Sequence, residues 1–168
     1  LIFHAPTRGL MGYTSRFLTL TKGTGVINRI FHGYGKFEGE MDGRKNGALI
    51  SMANGKAVAF AIFNLQARGE MFVTHNDPVY EGMIVGLAPK PGDMIINVMK
   101  GKQLTNMRTQ GTDENVVLTP VRQMSIAEQL SMLNTDEALE ITPKSLRLRK
   151  AILNPTERKK NEKSGSPL

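Results

Sequence analysis

The chain has no cysteine and no tryptophan, and its three histidines, His4, His32 and His75, share no H-x-x-x-H or comparable ligand spacing. Without cysteine there is no disulfide, no thiolate nucleophile and no cysteine-based zinc or iron–sulfur site; a reducing compartment, with the cytoplasm as default, is expected. Three scattered imidazoles give no reason to expect a metal. Long apolar runs are missing as well. The longest, Ala57 to Phe63 with Leu65, falls far short of the roughly 20 residues that cross a bilayer, so a soluble chain with no membrane partner is expected. Catalytic motifs are equally scarce. Ser15, Ser51 and Ser125 sit outside any Gly-x-Ser-x-Gly elbow, and the glycine-rich stretches Arg8 to Gly12 and Lys22 to Gly25 lack the Gly-Lys-Ser/Thr end of a phosphate loop. No complete active site is expected within the chain.

What is present is positive charge. Over 168 residues the formal net charge is +7, and it is unevenly spread. From Ile141 onward there are eight cations (Lys144, Arg147, Arg149, Lys150, Arg158, Lys159, Lys160, Lys163) against Glu157 and Glu162, an excess of six. Such a tail attracts polyanions in a salt-dependent way. At the other end, Leu1-Ile2-Phe3 reads as the apolar end of a strand with nothing before it, so the N-terminus is expected to be a cut inside a longer protein.

Along the chain, Leu10, Tyr13, Phe17 and Leu20 recur at helical spacing behind Pro6, which predicts an amphipathic helix from Pro6 to Leu20 that stops at Lys22-Gly23-Thr24-Gly25. Val26 to Phe31 has strand composition. A glycine-dense stretch from Gly33 to Gly47 marks a domain boundary, placed near Lys36. Beyond it, Asn54-Gly55 between apolar runs predicts a hairpin joining Ala48–Ala53 to Lys56–Ala59. A helix is expected over Phe60 to Arg68 with Gly69 as a left-handed cap, then short strands at Met71–Thr74, Tyr80–Val85, Met94–Val98, Val116–Leu118 and Leu139–Thr142. Ser125 with Glu128 forms a capping box for a helix to about Leu133, and Asn154-Pro155 opens a last helix that should fray from Ser164 onward. Tyr13, Phe17, Phe31, Phe60 and Phe63 are expected in the core.

The segment Lys100 to Gly111 mixes cations with hydroxyl and amide side chains and has a glycine at each end. Lys100, Lys102 and Arg108 suit phosphate attraction, and Thr105 and Asn106 suit hydrogen bonds to phosphate or 2′-hydroxyl oxygens. An ordinary solvated loop has the same composition, so the residues alone leave both readings open. Arg44 and Lys45 are similarly divided between RNA contact and keeping a turn soluble. Of Lys144, Arg147, Arg149 and Lys150, a mixture of roles is expected, because Leu146 and Leu148 alternate with Arg147 and Arg149 and would bury one face of a strand.

The blocks Ala5-Pro-Thr-Arg-Gly-Leu-Met-Gly-Tyr, Thr21-Lys-Gly-Thr-Gly-Val, Phe31-His-Gly-Tyr-Gly, Gly43-Arg-Lys-Asn-Gly, Asn64-Leu-Gln-Ala-Arg-Gly, Val79-Tyr-Glu-Gly-Met-Ile-Val-Gly, Lys100-Gly-Lys-Gln-Leu-Thr-Asn-Met-Arg and Thr142-Pro-Lys-Ser-Leu-Arg-Leu-Arg-Lys resemble the TypA/BipA family of translational GTPases. The resemblance covers almost the whole chain up to Lys160. It implies an α+β chain: residues 1–36 as the latter half of a ferredoxin-like unit similar to domain V of elongation factor G, residues 37–155 as a mainly β family-specific C-terminal domain with short helices, and 156–168 as a basic, frayed tail. It implies a parent GTPase that binds the ribosome, serves large-subunit assembly and stress or cold adaptation, and reaches toward the acceptor arm of A-site tRNA with the Lys100–Gly111 loop. Large-subunit rRNA is the other implied partner, and a monomer is expected. GTP and magnesium would belong to a domain upstream of Leu1, leaving this fragment neither an enzyme nor a cofactor carrier. The RNA-binding set implied is Lys100, Lys102, Gln103, Thr105, Asn106 and Arg108, with Arg44, Lys45, Lys144, Arg147 and Arg149 as further candidates. Gln103 stands where the family is expected to carry a second basic residue, and Phe63 where tryptophan is common. A structural or protein-docking module, with RNA contact confined to the missing domains, is the alternative.

Overall fold

The computed structural model describes residues 1–39, 44–101 and 117–164. Its organising element is strand β1, Ala48–Ser51, in which all four residues are buried. Side chains alternate across a strand, so burial throughout requires cover on both faces. Leu49 enters one core with Ile62, Val73, Val85 and Val98, while Ala48 and Ile50 enter a second with Ile84 and Leu148. β1 lies antiparallel to β5 (Ile84–Leu87) and parallel to β6 (Met94–Ile96), and β3 (Glu70–Met71) completes a sheet in the order β3-β5-β1-β6. Helix α2, Ala59–Gln66, brings Ile62 to the first core. The second is covered by the antiparallel hairpin of β7 (Glu137–Ile141) and β8 (Leu146–Lys150), through Leu139 and Leu148. Each buried Leu, Ile or Val contributes on the order of 1.5–3 kcal/mol, so the two cores outweigh ladders this short. The architecture is α+β with short strands and few helices, as expected.

Several local expectations fail because tertiary pairing overrides them. The Asn54-Gly55 hairpin does not form: β2, Gly55–Lys56, pairs with β4, Pro78–Val79, and neither Asn54 nor Gly55 takes a positive φ. β1 instead satisfies both its edges with β5 and β6, and Asn54 Oδ1 accepts the Glu81 amide. Tyr80–Val85 is not one strand, because Gly82 at φ 83° turns the chain between β4 and β5. A Cβ at that glycine would stand 2.7 Å from the Leu153 backbone. Nor is Gly69 a left-handed cap. α2 ends at Gln66 with Ala67 right-handed, and Gly69 is there because its Cα passes hard against the Leu87 carbonyl. The expected strand from Met71 to Thr74 shrinks to β3, and Val117 and Leu118 belong to no strand.

Near the N-terminus, Gly12 at φ 71° divides the expected helix into a 3₁₀ turn, Thr7–Leu10, and α1, Tyr13–Leu20. Lys22 takes the left-handed position after α1 at φ 53°; its amide donates to Thr19 O and that of Gly23 to Leu18 O, which closes the last turn as a Schellman motif. The expected strand from Val26 to Phe31 is absent. A strand needs a neighbour for its backbone groups, and among the described residues none pairs with this segment, whose Val26, Ile30 and Phe31 are exposed. Tyr13 and Phe63 are likewise exposed rather than core, while Phe17 and Phe60 are partly buried. Both capping expectations hold. Ser125 and Glu128 exchange bonds at the start of α3, Ile126–Ser131, and Asn154 Oδ1 accepts the Thr156 amide at the start of α4, Pro155–Ser164.

Candidate nucleic-acid interface

β6 ends at Ile96, four residues before Lys100. Val98 is fully buried there and its carbonyl accepts the Val58 amide, so the first core anchors the chain two residues before Lys100. Lys100 is exposed. Lys102, Gln103, Thr105, Asn106 and Arg108 lie outside the described residues.

Arg44 is not a surface cation. Its side chain is 5% exposed and its guanidinium grips Glu137, itself 0% exposed, through Nη2 to Oε1 at 2.6 Å and Nη1 to Oε2 at 2.9 Å. Nε and Nη1 also donate to the Asn46 and Met132 carbonyls. With these donors committed internally, Arg44 acts as a clamp between the entry to β1 and the start of β7, and only its neighbour Lys45 faces solvent. The same Glu137 meets a second buried cation. Lys150, 2% exposed, lies 2.9 Å from Glu137, 2.7 Å from Asp136 and 2.5 Å from Asp93. Asp93 in turn accepts the Ala48 amide. Two cations and three carboxylates thus join β1, β6, β7 and β8. Burial pushes the Asp93 carboxyl up, but the hydrogen bonds from Lys150 and the Ala48 amide prevail and hold it below the usual carboxylate range. Burial likewise pushes the Lys150 ammonium down, and its hydrogen bonds to Asp136, Asp93 and Glu137 lift it above the ordinary lysine value. A cluster so internally satisfied positions strands and leaves little for a ligand.

Around the β7–β8 hairpin the cations divide. Arg147 pairs with Glu140 at 3.4 Å, and the Tyr80 hydroxyl donates to the same carboxylate at 2.5 Å. Burial, then that hydrogen bond, raise the Tyr80 phenol well above its ordinary value. Arg149 donates to the Lys150 and Ala151 carbonyls. Lys144, in the turn closed by Thr142 and Ser145, is exposed with no ion pair among the described residues. In α4 no residue is buried; Arg158 donates back to the Ile152 and Leu153 carbonyls, while Lys159, Lys160 and Lys163 face solvent. Exposed ammonium groups of this kind attract phosphate without reading sequence.

Two residues escaped the sequence reading. Lys150 was grouped with the other tail cations, although it shares strand parity with Leu146 and Leu148 and so points to the same buried face. Gln129, buried in α3, gave no signal beyond lying on the same helical side as Ile126 and Leu133. No helix among the described residues is long and apolar enough to cross a membrane.

Comparison with known proteins bears directly on this arrangement. The model of the TypA/BipA C-terminal domain matches residues 46–155, the part that holds both cores and all of the ion cluster except Arg44. A protein named large ribosomal subunit assembly factor BipA from Buchnera aphidicola is 48% identical over 92% of this chain and 26% of its own length. Proteins of the same name from Salmonella typhimurium and Bacillus subtilis are each 46% identical, over 92% and 97% of this chain and 26% and 27% of theirs. The chain therefore spans about a quarter of the length of these relatives. A domain match of that extent together with that identity means that the chain belongs to the TypA/BipA family and carries its C-terminal domain.

Proposed function

We propose that this chain is the ribosome-facing C-terminal region of a translational GTPase that assists assembly of the large ribosomal subunit. The observation that carries the reading is the close likeness, across nearly all of the chain, to proteins named for that assembly role. GTP hydrolysis, with its magnesium, belongs in this reading to the part of the relatives that the chain does not span, and residues 1–36 complete a ferredoxin-like unit begun there. The Lys100–Gly111 loop reaches toward the acceptor end of A-site tRNA, and Lys45, Lys144 and the α4 lysines hold rRNA phosphates. The parent works in the cytoplasm as a monomer during stress or cold adaptation. Support comes from the position of Lys100, exposed two residues beyond a buried anchor, and from the exposed lysines at the hairpin tip and on α4.

Salt titration of ribosome binding tests this. The chain should bind ribosomes at low salt, weaken steeply as salt rises, and lose affinity when Lys100, Lys102 and Arg108 are replaced together by alanine. Binding indifferent to that triple change would favour a docking module whose RNA contacts lie elsewhere in the parent.

A further inference from the structure

Between the sheet, the start of α3 and the β7–β8 hairpin lies a cleft of about 750 Å³, well inside the roughly 300–1,000 Å³ range of small-molecule sites. Phe72, Met124, Ile141 and Leu146 supply apolar walls. Arg122, Lys144 and Arg147 are also among its lining residues, and no acidic residue is. Gln129 completes it. Only 7% of this residue is exposed, its Nε2 donates to the Met124 carbonyl at a long 3.4 Å, and its Oε1 is buried with no hydrogen-bond partner among the described residues. A buried carbonyl without a donor is costly and calls for one.

These features together specify a ligand. Apolar walls favour a flat uncharged ring, the cations favour an anion beside it, and the orphan carbonyl favours an N–H. A nucleotide supplies all of them. Adenine fits best: its N6 amino group and adjacent ring nitrogen form a donor and acceptor pair that a carboxamide reads in bidentate fashion, and where cytosine offers a like pair its smaller ring covers less of the apolar walls. Arg122 and Arg147 already face Glu128 at 3.3 Å and Glu140 at 3.4 Å, which leaves Lys144 as the cation open to a phosphate. We propose that this cleft is a subsite for an unpaired adenosine nucleotide of RNA, with the base toward Gln129 and its phosphate on Lys144. The proposal rests on the ribosome-binding reading, since it is RNA that presents unstacked bases to apolar and amide side chains.

The test titrates the 168-residue chain at low salt with single-stranded oligoadenylate, oligouridylate, an RNA duplex of equal length and AMP, following the methyl resonances of Met124 and Ile141. Oligoadenylate should move both methyls and bind about tenfold more tightly than oligouridylate, while the duplex leaves them in place. Lys144→Glu, an exposed change, should weaken both oligonucleotides. Gln129→Leu removes the orphan carbonyl, so it should fold at least as well as the parent and yet bind the two oligonucleotides equally, an outcome that mere loss of structure would not produce. If RNA binds with Met124 and Ile141 unmoved and with Gln129→Leu unchanged in preference, the cleft proposal falls and the RNA-binding reading stands. If no RNA binds, both fall. AMP binding as tightly as oligoadenylate would overturn RNA as the source of the nucleotide.

Discussion

Glu137→Gln changes one oxygen to an NH₂ group and almost nothing in volume, so it isolates the charge at the centre of the ion cluster. Four donors converge on this carboxylate: Arg44 Nη2 and Lys150 Nζ on Oε1, Arg44 Nη1 and the Asn134 amide on Oε2. A carboxamide offers one acceptor oxygen. Whichever way it is turned, its NH₂ group faces two of the four donors, and Arg44 loses the only carboxylate that it pairs with among the described residues. Each buried donor left without an acceptor costs roughly 1–3 kcal/mol, more when it is charged, and breaking a buried pair from one side costs about 3–5 kcal/mol. Lys150 retains Asp93 and Asp136, which are partly exposed and can rearrange, so the expected loss is about 3–4 kcal/mol, nearer the lower end of that range. Urea unfolding followed by circular dichroism measures it, with the dependence on denaturant unchanged. The partly exposed Glu140–Arg147 pair is the internal control, and Glu140→Gln should cost under about 1 kcal/mol from that ion pair. A loss at Glu137 no larger than the control would refute the reasoning, since it would mean that water reaches the cluster.

Other consequences can be checked on the same protein. Asp93 is depressed when folded, so its contribution is present above the ordinary carboxylate value and fades as pH falls through its folded value; Lys150 is raised, so its contribution is present below the ordinary lysine value and fades as pH rises through its folded value. A plot of stability against pH should therefore fall at both extremes, and Lys150→Met should shrink the alkaline limb to the part set by the raised Tyr80 phenol. Gly82→Ala places a Cβ at φ 83° against the Leu153 backbone, and a loss above about 2 kcal/mol in urea unfolding is expected from strain and collision together. Ser125→Ala breaks the capping box and should cost about 1 kcal/mol, while the Glu128 carboxyl should rise only by the hydroxyl's share in a carbon-detected NMR titration, since the residue-125 amide, first among the groups that hold it low, and Arg122 remain.

What the sequence made legible was local or lexical. Ser125 with Glu128 and Asn154 with Pro155 announce helix starts because a cap is decided within three or four residues. The family blocks announce kinship. Asn54-Gly55 misled because the turn propensity of two residues is outweighed by pairing of both edges of β1, and its partners β5 and β6 lie roughly 35 to 45 residues further on. Arg44 misled for a similar reason: nothing near it in the sequence hints at a carboxylate 93 residues away. Lys150 was half legible, since strand parity with Leu148 pointed inward but a lysine's default is solvent. Gln129 and the cleft around it were invisible, because a pocket is made by elements that meet only after folding.

The separation between Arg44 and Glu137 also bears on how the domain is made. Translation proceeds at about 5–20 residues per second, so Arg44 waits roughly 5–20 seconds for the residue that neutralises it. During that interval β1 is already synthesised, apolar on both faces, and its cover on one face, the β7–β8 hairpin, does not yet exist. The second core cannot close until that hairpin has emerged, when Lys150 arrives to meet Asp93, Asp136 and Glu137. Chains released before that point would display the Ala48–Ile50 face to the cell, where chaperones or proteases would meet it first.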